Sequence, residues 1–264
     1  MPLAKSGRGA FEVANQAVRE AGHVIMAHFH CEKRVSYKAG RSNIITDVDL
    51  LAEEKIMELL REEYPDFGIM TEESEGIAAD SPYTWIIDPI DGTRNYAYGI
   101  PHFCVALALT RGEDVILGLI YDPVRDELFR AQKGRGAFLN DSPIAVSTKK
   151  SLQASLISFD MGYDAEVGQE MLGVASALWP GVQSVRVMGS AALGLAYVAC
   201  GRLDLYFHLS LYPWDLAAGI LIVGEAGGMI SELDGKPVGI QSKSVIATNA
   251  AIHEDFMRRV RGEW

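Results

Sequence analysis

Two aspartates near the middle of the chain have the spacing to hold a cation against a phosphate. Asp88 and Asp91 stand three residues apart at the end of the apolar run at residues 85–87, with the Ile90 carbonyl between them. Pro89 removes one backbone donor and stiffens the turn, so we expect the two carboxylates and the carbonyl to converge. Oxygen ligands suit a hard divalent cation such as Mg²⁺, whose other positions are usually filled by water and substrate phosphate.

A helix is predicted to begin directly after these acids. Gly92 and Thr93 follow Asp91, and the free N–H groups at a helix start favour an anion in the same space. The segment would then place a phosphate beside the cation. Alternatively, Pro-x-Asp-Gly forms an ordinary turn with solvated acids, and other segments have to distinguish the two.

Two further acidic segments are candidates for the same site. Glu72 and Glu73 follow a short apolar segment, so a second strand end could deliver Glu72 to the cation, although such pairs are more often solvated. Asp215 stands near the start of a predicted helix that is apolar on nearly all sides. That helix must be buried, and Asp215 then serves either as an N-cap or as a metal ligand that compensates its burial.

The composition predicts a globular protein of a reducing compartment. The formal net charge is −11, and no run of basic residues is longer than Lys149-Lys150, which argues against a nucleic-acid partner. Cys31, Cys104 and Cys200 are far apart and odd in number, which argues against a disulfide framework. Because we find neither a signal peptide nor a long apolar span, we expect a cytoplasmic protein without membrane contacts.

The order of predicted elements changes in the middle of the chain. Helices are predicted at residues 9–30 and 47–60, with short strands at 34–38 and 43–46 around a basic loop at 38–42 that is a candidate lid. Strands at 84–88, 103–110, 115–121 and 127–131 predict an antiparallel meander. Helices at 165–178, 190–200, 214–225 and up to 260 then alternate with short strands. We therefore predict two tightly packed halves, residues 1–148 and 149–264.

Together these segments carry a specific resemblance. The chain resembles the inositol monophosphatase family, within the lithium-sensitive, magnesium-dependent phosphatase superfamily, over roughly residues 9–260. The matching segments are Thr46-Asp47 before a helix, Glu72-Glu73-Ser74, residues 85–95 with their Asp-Pro-Ile-Asp-Gly-Thr core, Gly189-Ser190-Ala191-Ala192, and Trp214-Asp215 through Gly228.

The resemblance implies an α+β fold, a layered αβαβα sandwich, usually a homodimer, with two or three Mg²⁺ ions where the halves meet. The implied metal ligands are Glu72, Asp88, the Ile90 carbonyl, Asp91 and Asp215, with Glu72 also supporting a third ion through water. Thr93, paired with Asp47, is implied to orient and help deprotonate the attacking water for an in-line displacement. The phosphate is expected at the Gly92 and Thr93 N–H groups, and the rest of the substrate near Asp91, Gly189 and Ala191.

One position departs from the family pattern. Inositol-specific members usually carry a glutamate seven residues before the second-half aspartate, whereas this chain has His208 there. A neutral histidine offers one acceptor and a charged one offers none, so inositol preference is in doubt, and His208 could also simply pack in a strand. Arg94 could favour a second phosphate or carboxylate, and Lys38 could steer phosphate, although both could equally be solvated.

The leading functional hypothesis is a Mg²⁺-dependent phosphomonoesterase for a small sugar or polyol phosphate, with inositol 1-phosphate as the first candidate. Fructose 1,6-bisphosphate, histidinol phosphate, NADP and adenosine 3′,5′-bisphosphate are alternatives, because the metal ligands serve the phosphate and leave the alcohol side to variable loops. A hypothesis of another class is a protein-binding regulatory module with residual phosphatase activity.

Overall fold

The computed structural model describes residues 1–39 and 43–260. Two long helices open the fold, as the spacing of apolar residues predicted: α1 spans Ala10–His28 and α2 spans Asp47–Glu63. Strands β1 (Val35–Ala39) and β2 (Asn43–Thr46) pair antiparallel between them. The predicted lid at residues 38–42 lies partly outside the described residues, because residues 40–42 are not among them.

A seven-stranded sheet occupies the first half of the chain. Its strands are β3 (Gly68–Thr71), β4 (Tyr83–Asp91), β5 (Cys104–Arg111), β6 (Asp114–Asp122), β7 (Glu127–Gln132), β8 (Ala137–Leu139) and β9 (Ser142–Pro143). They lie in chain order; neighbours from β4 onward are antiparallel, whereas β3 joins β4 in parallel. The predicted meander is confirmed. The short helix α3 (Thr93–Ala97) lies between β4 and β5.

A five-stranded sheet occupies the second half. Its strands are β10 (Leu156–Phe159), β11 (Ser184–Val187), β12 (Leu205–His208), β13 (Met229–Ser231) and β14 (Val245–Thr248), in the order β11-β10-β12-β14-β13. They alternate with helices α4 (Ala165–Leu178), α5 (Ala191–Ala199), α6 (Pro213–Glu225) and α7 (His253–Val260). The predicted division between residues 148 and 149 falls between β9 and β10.

Five layers stack through the molecule. Helices α1 and α2 pack together on one face of the large sheet, α5 and α6 lie between the two sheets, and α4 and α7 cover the small sheet. The fold is therefore α+β and a layered αβαβα sandwich, as the resemblance implied. Among the described residues, no helix combines the length and the apolar character that crossing a membrane requires.

The middle layer approaches the large sheet closely at Gly118 in β6. A Cβ atom built there would lie 2.7 Å from the Ala218 carbonyl oxygen of α6, and a protein interior packed to crystal density offers little room for such an atom. Glycine at this position lets α6 lie directly on the sheet. Since α6 carries Asp215 in its first turn, the contact also helps to position a residue of the site.

Candidate metal and phosphate site

An irregular stretch at the end of β4 turns Asp88 and Asp91 toward one another. In a regular strand, residues three apart point to opposite faces of the sheet. Here Asp88 pairs with Ala106 and Asp91 with Cys104, so three steps along β4 match two steps along β5. The extra residue makes a bulge, which re-aims side chains and tolerates Pro89. The local sequence therefore brings both carboxylates to the same space.

Asp215 completes a cluster of three carboxylates. It lies in the first turn of α6, where its Oδ2 accepts a hydrogen bond of 2.7 Å from the Tyr212 backbone N–H. One carboxylate oxygen from each of Asp88, Asp91 and Asp215 lies within 4.8 Å of the other two. Since a carboxylate has several lone pairs, Asp215 can cap its helix and bind a metal at the same time.

Burial and mutual repulsion make this cluster unfavourable as three free carboxylates. Asp88 is 1% exposed, and within the described part of the chain its Oδ1 has no hydrogen-bond partner. Burial, and then the neighbouring acids, raise the pKa values of Asp88 and Asp215 well above their usual range. A divalent cation would compensate both effects, and an all-oxygen donor set suits Mg²⁺. The residues therefore fit the metal that the sequence predicted.

Asp91 is held by the start of helix α5. Its Oδ2 accepts hydrogen bonds from the Ser190 hydroxyl and, at 2.7 Å, from the Ala192 backbone N–H, while its Oδ1 accepts one of 3.2 Å from Ala191. Burial raises the pKa of Asp91 to about 6, although these hydrogen bonds oppose the shift. The contacts join the large sheet to the middle layer at the site. Ser190 lay in a matched segment of the sequence but had no predicted role.

The predicted pair of Thr93 and Asp47 is wrong, because Thr93 pairs with Asp49. The Thr93 Oγ1 lies 3.0 Å from Asp49 Oδ1, whereas Asp47 accepts a hydrogen bond of 3.2 Å from the Arg34 backbone N–H. Thr46 is the N-cap of α2, and Asp49 is the third helical residue, which folds back toward the cap. Asp47 is the first helical residue and projects in another direction.

Asp49 is buried and well supplied with hydrogen-bond donors. Its Oδ2 accepts from the Thr46 hydroxyl and, at 2.9 Å, from the Thr46 backbone N–H. The Asp49 backbone N–H in turn donates to Thr46 Oγ1 at 3.4 Å, and the two backbone N–H bonds form a capping box. Burial raises the pKa of Asp49 to about 6, although the hydrogen bonds that its carboxylate accepts lower it. The Thr93 Oγ1 also lies 2.9 Å from the Ile90 carbonyl oxygen. Since a hydroxyl has one proton, it donates to Asp49 or to Ile90 at any moment.

Glu72 and Lys38 lie next to the cluster as an ion pair. The Lys38 Nζ is 2.8 Å from Glu72 Oε1 and 2.5 Å from Glu73 Oε2. Glu72 is the strongest charged neighbour that raises the pKa of Asp88, although it is not one of the three carboxylates within 4.8 Å. The structure therefore places Glu72 near the site while pairing it with a lysine.

A cleft opens beside the carboxylates of Asp91 and Asp215. It is lined by most of the predicted substrate-binding residues, namely Asp91, Gly92, Thr93, Arg94, Gly189, Ala191 and His208. Gly92 has φ +97°, and a Cβ there would lie 3.0 Å from the His102 carbonyl oxygen. Glycine is therefore required at the start of α3, where β4 passes into the cleft wall.

Two side chains that sequence reasoning did not single out hold the opposite wall. Asp160 accepts hydrogen bonds from the Met188 backbone N–H at 2.9 Å, from the Gly189 N–H, and from the Tyr206 hydroxyl at 3.0 Å. Asn95 donates to the Met188 carbonyl at 2.7 Å. They fix the turn before α5 against α3. Asn95 closes the matched segment at residues 85–95, whereas Asp160 had no signal beyond its place at a strand end.

Comparisons with known proteins agree with this fold. Residues 9–263 match the model of the inositol monophosphatase family. The Nus factor SuhB of Haemophilus influenzae is 37% identical over 252 residues, with 94% of each chain covered. The inositol-1-monophosphatase of Synechocystis is 39% identical over 247 residues, covering 93% of this chain and 86% of the relative.

Solved structures give the same result. The extragenic suppressor protein SuhB of Bartonella henselae has a TM-score of 0.91 and 37% identity, covering 95% of this chain and 98% of that one. An IMPase/NADP phosphatase complexed with Mg²⁺ and phosphate has a TM-score of 0.82 and 25% identity, covering 94% and 93%. With a family match over nearly its whole length and relatives above 30% identity, this chain belongs to the inositol monophosphatase family and is a phosphatase.

Proposed function

We propose that the protein is a Mg²⁺-dependent phosphomonoesterase that hydrolyses a small sugar or polyol phosphate, with inositol 1-phosphate as the first substrate to assay. The observation that supports this most directly is the cluster of the carboxylates of Asp88, Asp91 and Asp215, within 4.8 Å of one another, of which Asp91 and Asp215 line the same cleft as Thr93. Cation ligands and a water-orienting hydroxyl then face one substrate.

Asp88, Asp91 and Asp215 would hold Mg²⁺, with Glu72 and the Ile90 carbonyl as further ligands and two or three ions in total. When bound, Mg²⁺ lowers the pKa of coordinated water and neutralises charge on the phosphate and the leaving alcohol. The fit rests on the orphaned Asp88 Oδ1 and on the mutual repulsion that raises the pKa values of the cluster.

Thr93 and Asp49 would position the attacking water. When the Thr93 hydroxyl donates to Asp49 Oδ1, 3.0 Å away, its lone pairs are free to accept a hydrogen bond from water. A proton taken from that water passes to Thr93 Oγ1 as the Thr93 proton moves to Asp49. A threonine is a weak base on its own, so the buried carboxylate supplies the acceptor.

The start of α3 would receive the phosphate. Gly92 and Thr93 line the cleft, and backbone N–H groups at a helix start favour an anion. Gly189 and Ala191 line the same cleft, where the alcohol portion would lie. Fructose 1,6-bisphosphate, histidinol phosphate, NADP and adenosine 3′,5′-bisphosphate remain alternative substrates. A cytoplasmic homodimer is part of the same proposal.

A panel of these esters tests the proposal through phosphate release with Mg²⁺ and with excess EDTA. We expect release that requires Mg²⁺ and that falls at least about a hundredfold in Asp88→Asn. Asp66→Asn, which removes an equal charge from an exposed position, is the matched control and should behave as wild type. Release that EDTA leaves intact, or full activity of Asp88→Asn, would contradict the metal assignment.

A regulatory role is the second candidate function. The support is that relatives 37% and 38% identical to this chain carry the name Nus factor SuhB. The same Asp88→Asn variant separates the two functions. A protein partner that is retained in pull-downs by Asp88→Asn would support a regulatory role, whereas loss of every cellular effect with that substitution would support catalysis alone.

A further inference from the structure

We propose that the alcohol side of the cleft recognises a second anionic group on the substrate, a phosphate or a carboxylate, through Arg94 and the Nε2–H of His208. The inference rests on the proposed phosphatase function and specifies the class of substrate within it. Among small sugar phosphates, it favours those with a second anion over inositol 1-phosphate, whose ring carries only hydroxyl groups besides the ester.

His208 presents a hydrogen-bond donor to this part of the cleft. It is 4% exposed and lines the cleft. Its Nδ1 accepts a hydrogen bond of 3.0 Å from the Ser210 backbone N–H, so in the neutral ring the proton must lie on Nε2. Of the described residues, none accepts a hydrogen bond from that Nε2–H. Burial and the charge of Arg94 lower the pKa of His208 to about 4, which keeps the ring neutral near pH 7.

Arg94 lies on the same wall, with Gly162 between it and His208. The Arg94 guanidinium lies 5.2 Å from the centre of the Tyr163 ring, and its Nη2 is 3.4 Å from the Gly162 carbonyl oxygen. A Cβ built on Gly162 would lie 3.2 Å from His208 Cε1. Within residues 1–39 and 43–260, the hydrogen bond to Gly162 uses one of the five N–H donors of the guanidinium and leaves the others for a ligand.

The acids near this wall include Asp160, where burial raises the pKa while its hydrogen bonds and the nearby Arg94 charge oppose that shift. Asp160 lines the cleft, but its Oδ1 accepts from the Met188 and Gly189 N–H groups and its Oδ2 accepts from the Tyr206 hydroxyl. Asp91 and Asp215 belong to the carboxylate cluster that a cation would neutralise. This wall therefore offers a substrate the Arg94 guanidinium and the His208 Nε2–H as donors, and the side chains of Tyr163 and Ser210 also line the cleft.

This arrangement discriminates between substrate groups by hydrogen-bond type. A carboxylate or phosphate only accepts, so it satisfies both donors and adds a charge-assisted bond to the guanidinium. A ring hydroxyl can also accept, but it brings no charge and therefore forms a weaker hydrogen bond with the guanidinium. Inositol-specific family members carry a glutamate at this position, and its carboxylate would accept hydrogen bonds from such hydroxyls. His208 instead donates a hydrogen bond through Nε2–H.

Matched ester pairs test the proposal. 2-Phosphoglycerate differs from glycerol 2-phosphate by a carboxylate in place of a hydroxymethyl group, and fructose 1,6-bisphosphate differs from fructose 1-phosphate by one phosphate. The measurement is kcat/KM in Mg²⁺ for each ester, corrected for the two ester groups of the bisphosphate, with inositol 1-phosphate as reference. The variants are Arg94→Met, which removes the charge, His208→Leu, which removes the donor, and His208→Gln, which keeps an N–H donor.

In at least one pair we expect wild type to prefer the second anion at least about tenfold, as a charge-assisted hydrogen bond allows. Arg94→Met should reduce that ratio toward one, and His208→Leu should reduce it more than His208→Gln does. Arg61→Met removes the same charge from the far end of α2, about 18 Å along the helix from Asp49, and should keep the ratio. A preference in only one pair identifies the second anion as carboxylate or phosphate.

Two results would overturn the proposal. If Mg²⁺-dependent release is as fast from glycerol 2-phosphate, fructose 1-phosphate and inositol 1-phosphate as from their anionic partners, the second-anion site is wrong while the phosphatase stands. The same holds if the preference survives unchanged in Arg94→Met. Release from none of these esters, with or without Mg²⁺, would overturn the proposed function together with this inference.

Discussion

Exchanging Asp49 for asparagine tests the proposed proton path at its last acceptor. In Asp49→Asn the amide oxygen can still accept from the Thr46 backbone N–H, 2.9 Å from Oδ2 in the native chain. The amide nitrogen must then face the Thr93 hydroxyl, which donated to Asp49 Oδ1 over 3.0 Å. Thr93 becomes the acceptor of that bond and turns its proton to the Ile90 carbonyl oxygen, 2.9 Å away. A proton taken from water then has nowhere to go.

The expected size of the loss follows from that geometry. A positioned acid–base group contributes about 10²–10⁴-fold to the rate, and the orientation that Thr93 provides is partly kept. We therefore expect kcat to fall about 10²–10³-fold, or about 3–4 kcal/mol of activation free energy. KM should change little, because neither Asp49 nor Thr46 lines the cleft. The free energy of unfolding should change by about 1 kcal/mol or less, because the capping hydrogen bond is retained.

Asp47→Asn is the matched control, two positions away on the same helix. Among the described residues, the Asp47 side chain accepts one hydrogen bond, from the Arg34 backbone N–H, and an amide oxygen can replace that acceptor. Steady-state phosphate release should therefore stay within about threefold of wild type, and thermal melts should show that both variants fold. Thr93→Ala combined with Asp49→Asn should lose little more than the worse single variant, because the two groups act as a unit. A larger loss in Asp47→Asn than in Asp49→Asn, or fully additive losses, would refute the proton path.

Three further predictions concern the metal, the core and pH. Asp215→Asn should weaken Mg²⁺ binding at least about tenfold by calorimetry, and in EDTA it should raise the melting temperature because one of three repelling carboxylates is gone; unchanged affinity would contradict the ligand assignment. Gly118→Ala should cost about 1–3 kcal/mol in denaturant unfolding because its Cβ meets the α6 backbone, whereas Gly173→Ala, with open space around it in α4, should be neutral or stabilising. Burial and the charge of Arg125 lower the pKa of His102 to about 4, although Asp122 opposes the shift. As the pH falls below about 6.5, His102 therefore becomes protonated in the unfolded state before it does in the folded state. Wild type should then lose up to about 3 kcal/mol more than His102→Leu between pH 7.5 and pH 4, and parallel stability curves would show that His102 does not titrate differently on folding.

The metal cluster could be predicted from the sequence because each of its signals lies within one short segment. The strand, the turn at Pro89 and the apolar helix behind Asp215 can each be read within about ten residues. The apolar pattern and the turn residues placed α4 at residues 165–178 and four strands of the meander within about three residues of their observed ends. The Asp47 error has an equally local origin. Both Asp47 and Asp49 lie in the first turn of α2, and only the pattern Thr46-x-x-Asp49, a capping box, tells them apart.

Contacts between distant segments are the part that could not be predicted. Asp160 and Asn95 meet at the turn before α5 across 65 residues of chain, and Ser190 reaches Asp91 across 99. Each of these side chains is an ordinary polar residue in its own segment. Their roles arise only when the two sheets pack on the middle layer, and no periodicity or spacing in one segment reports on that packing.

The dependence on packing also explains why the site lies at the junction of the two halves. Asp88 and Asp91 come from the large sheet and Asp215 from the middle layer, so repulsion among their carboxylates opposes the same packing that buries the apolar core. The hydrogen bonds that Asp91 accepts from Ser190 and α5 favour that packing, and a bound cation would add to them. A site assembled this way is complete only in the folded chain, so Mg²⁺ should bind the native state selectively and stabilise it by mass action.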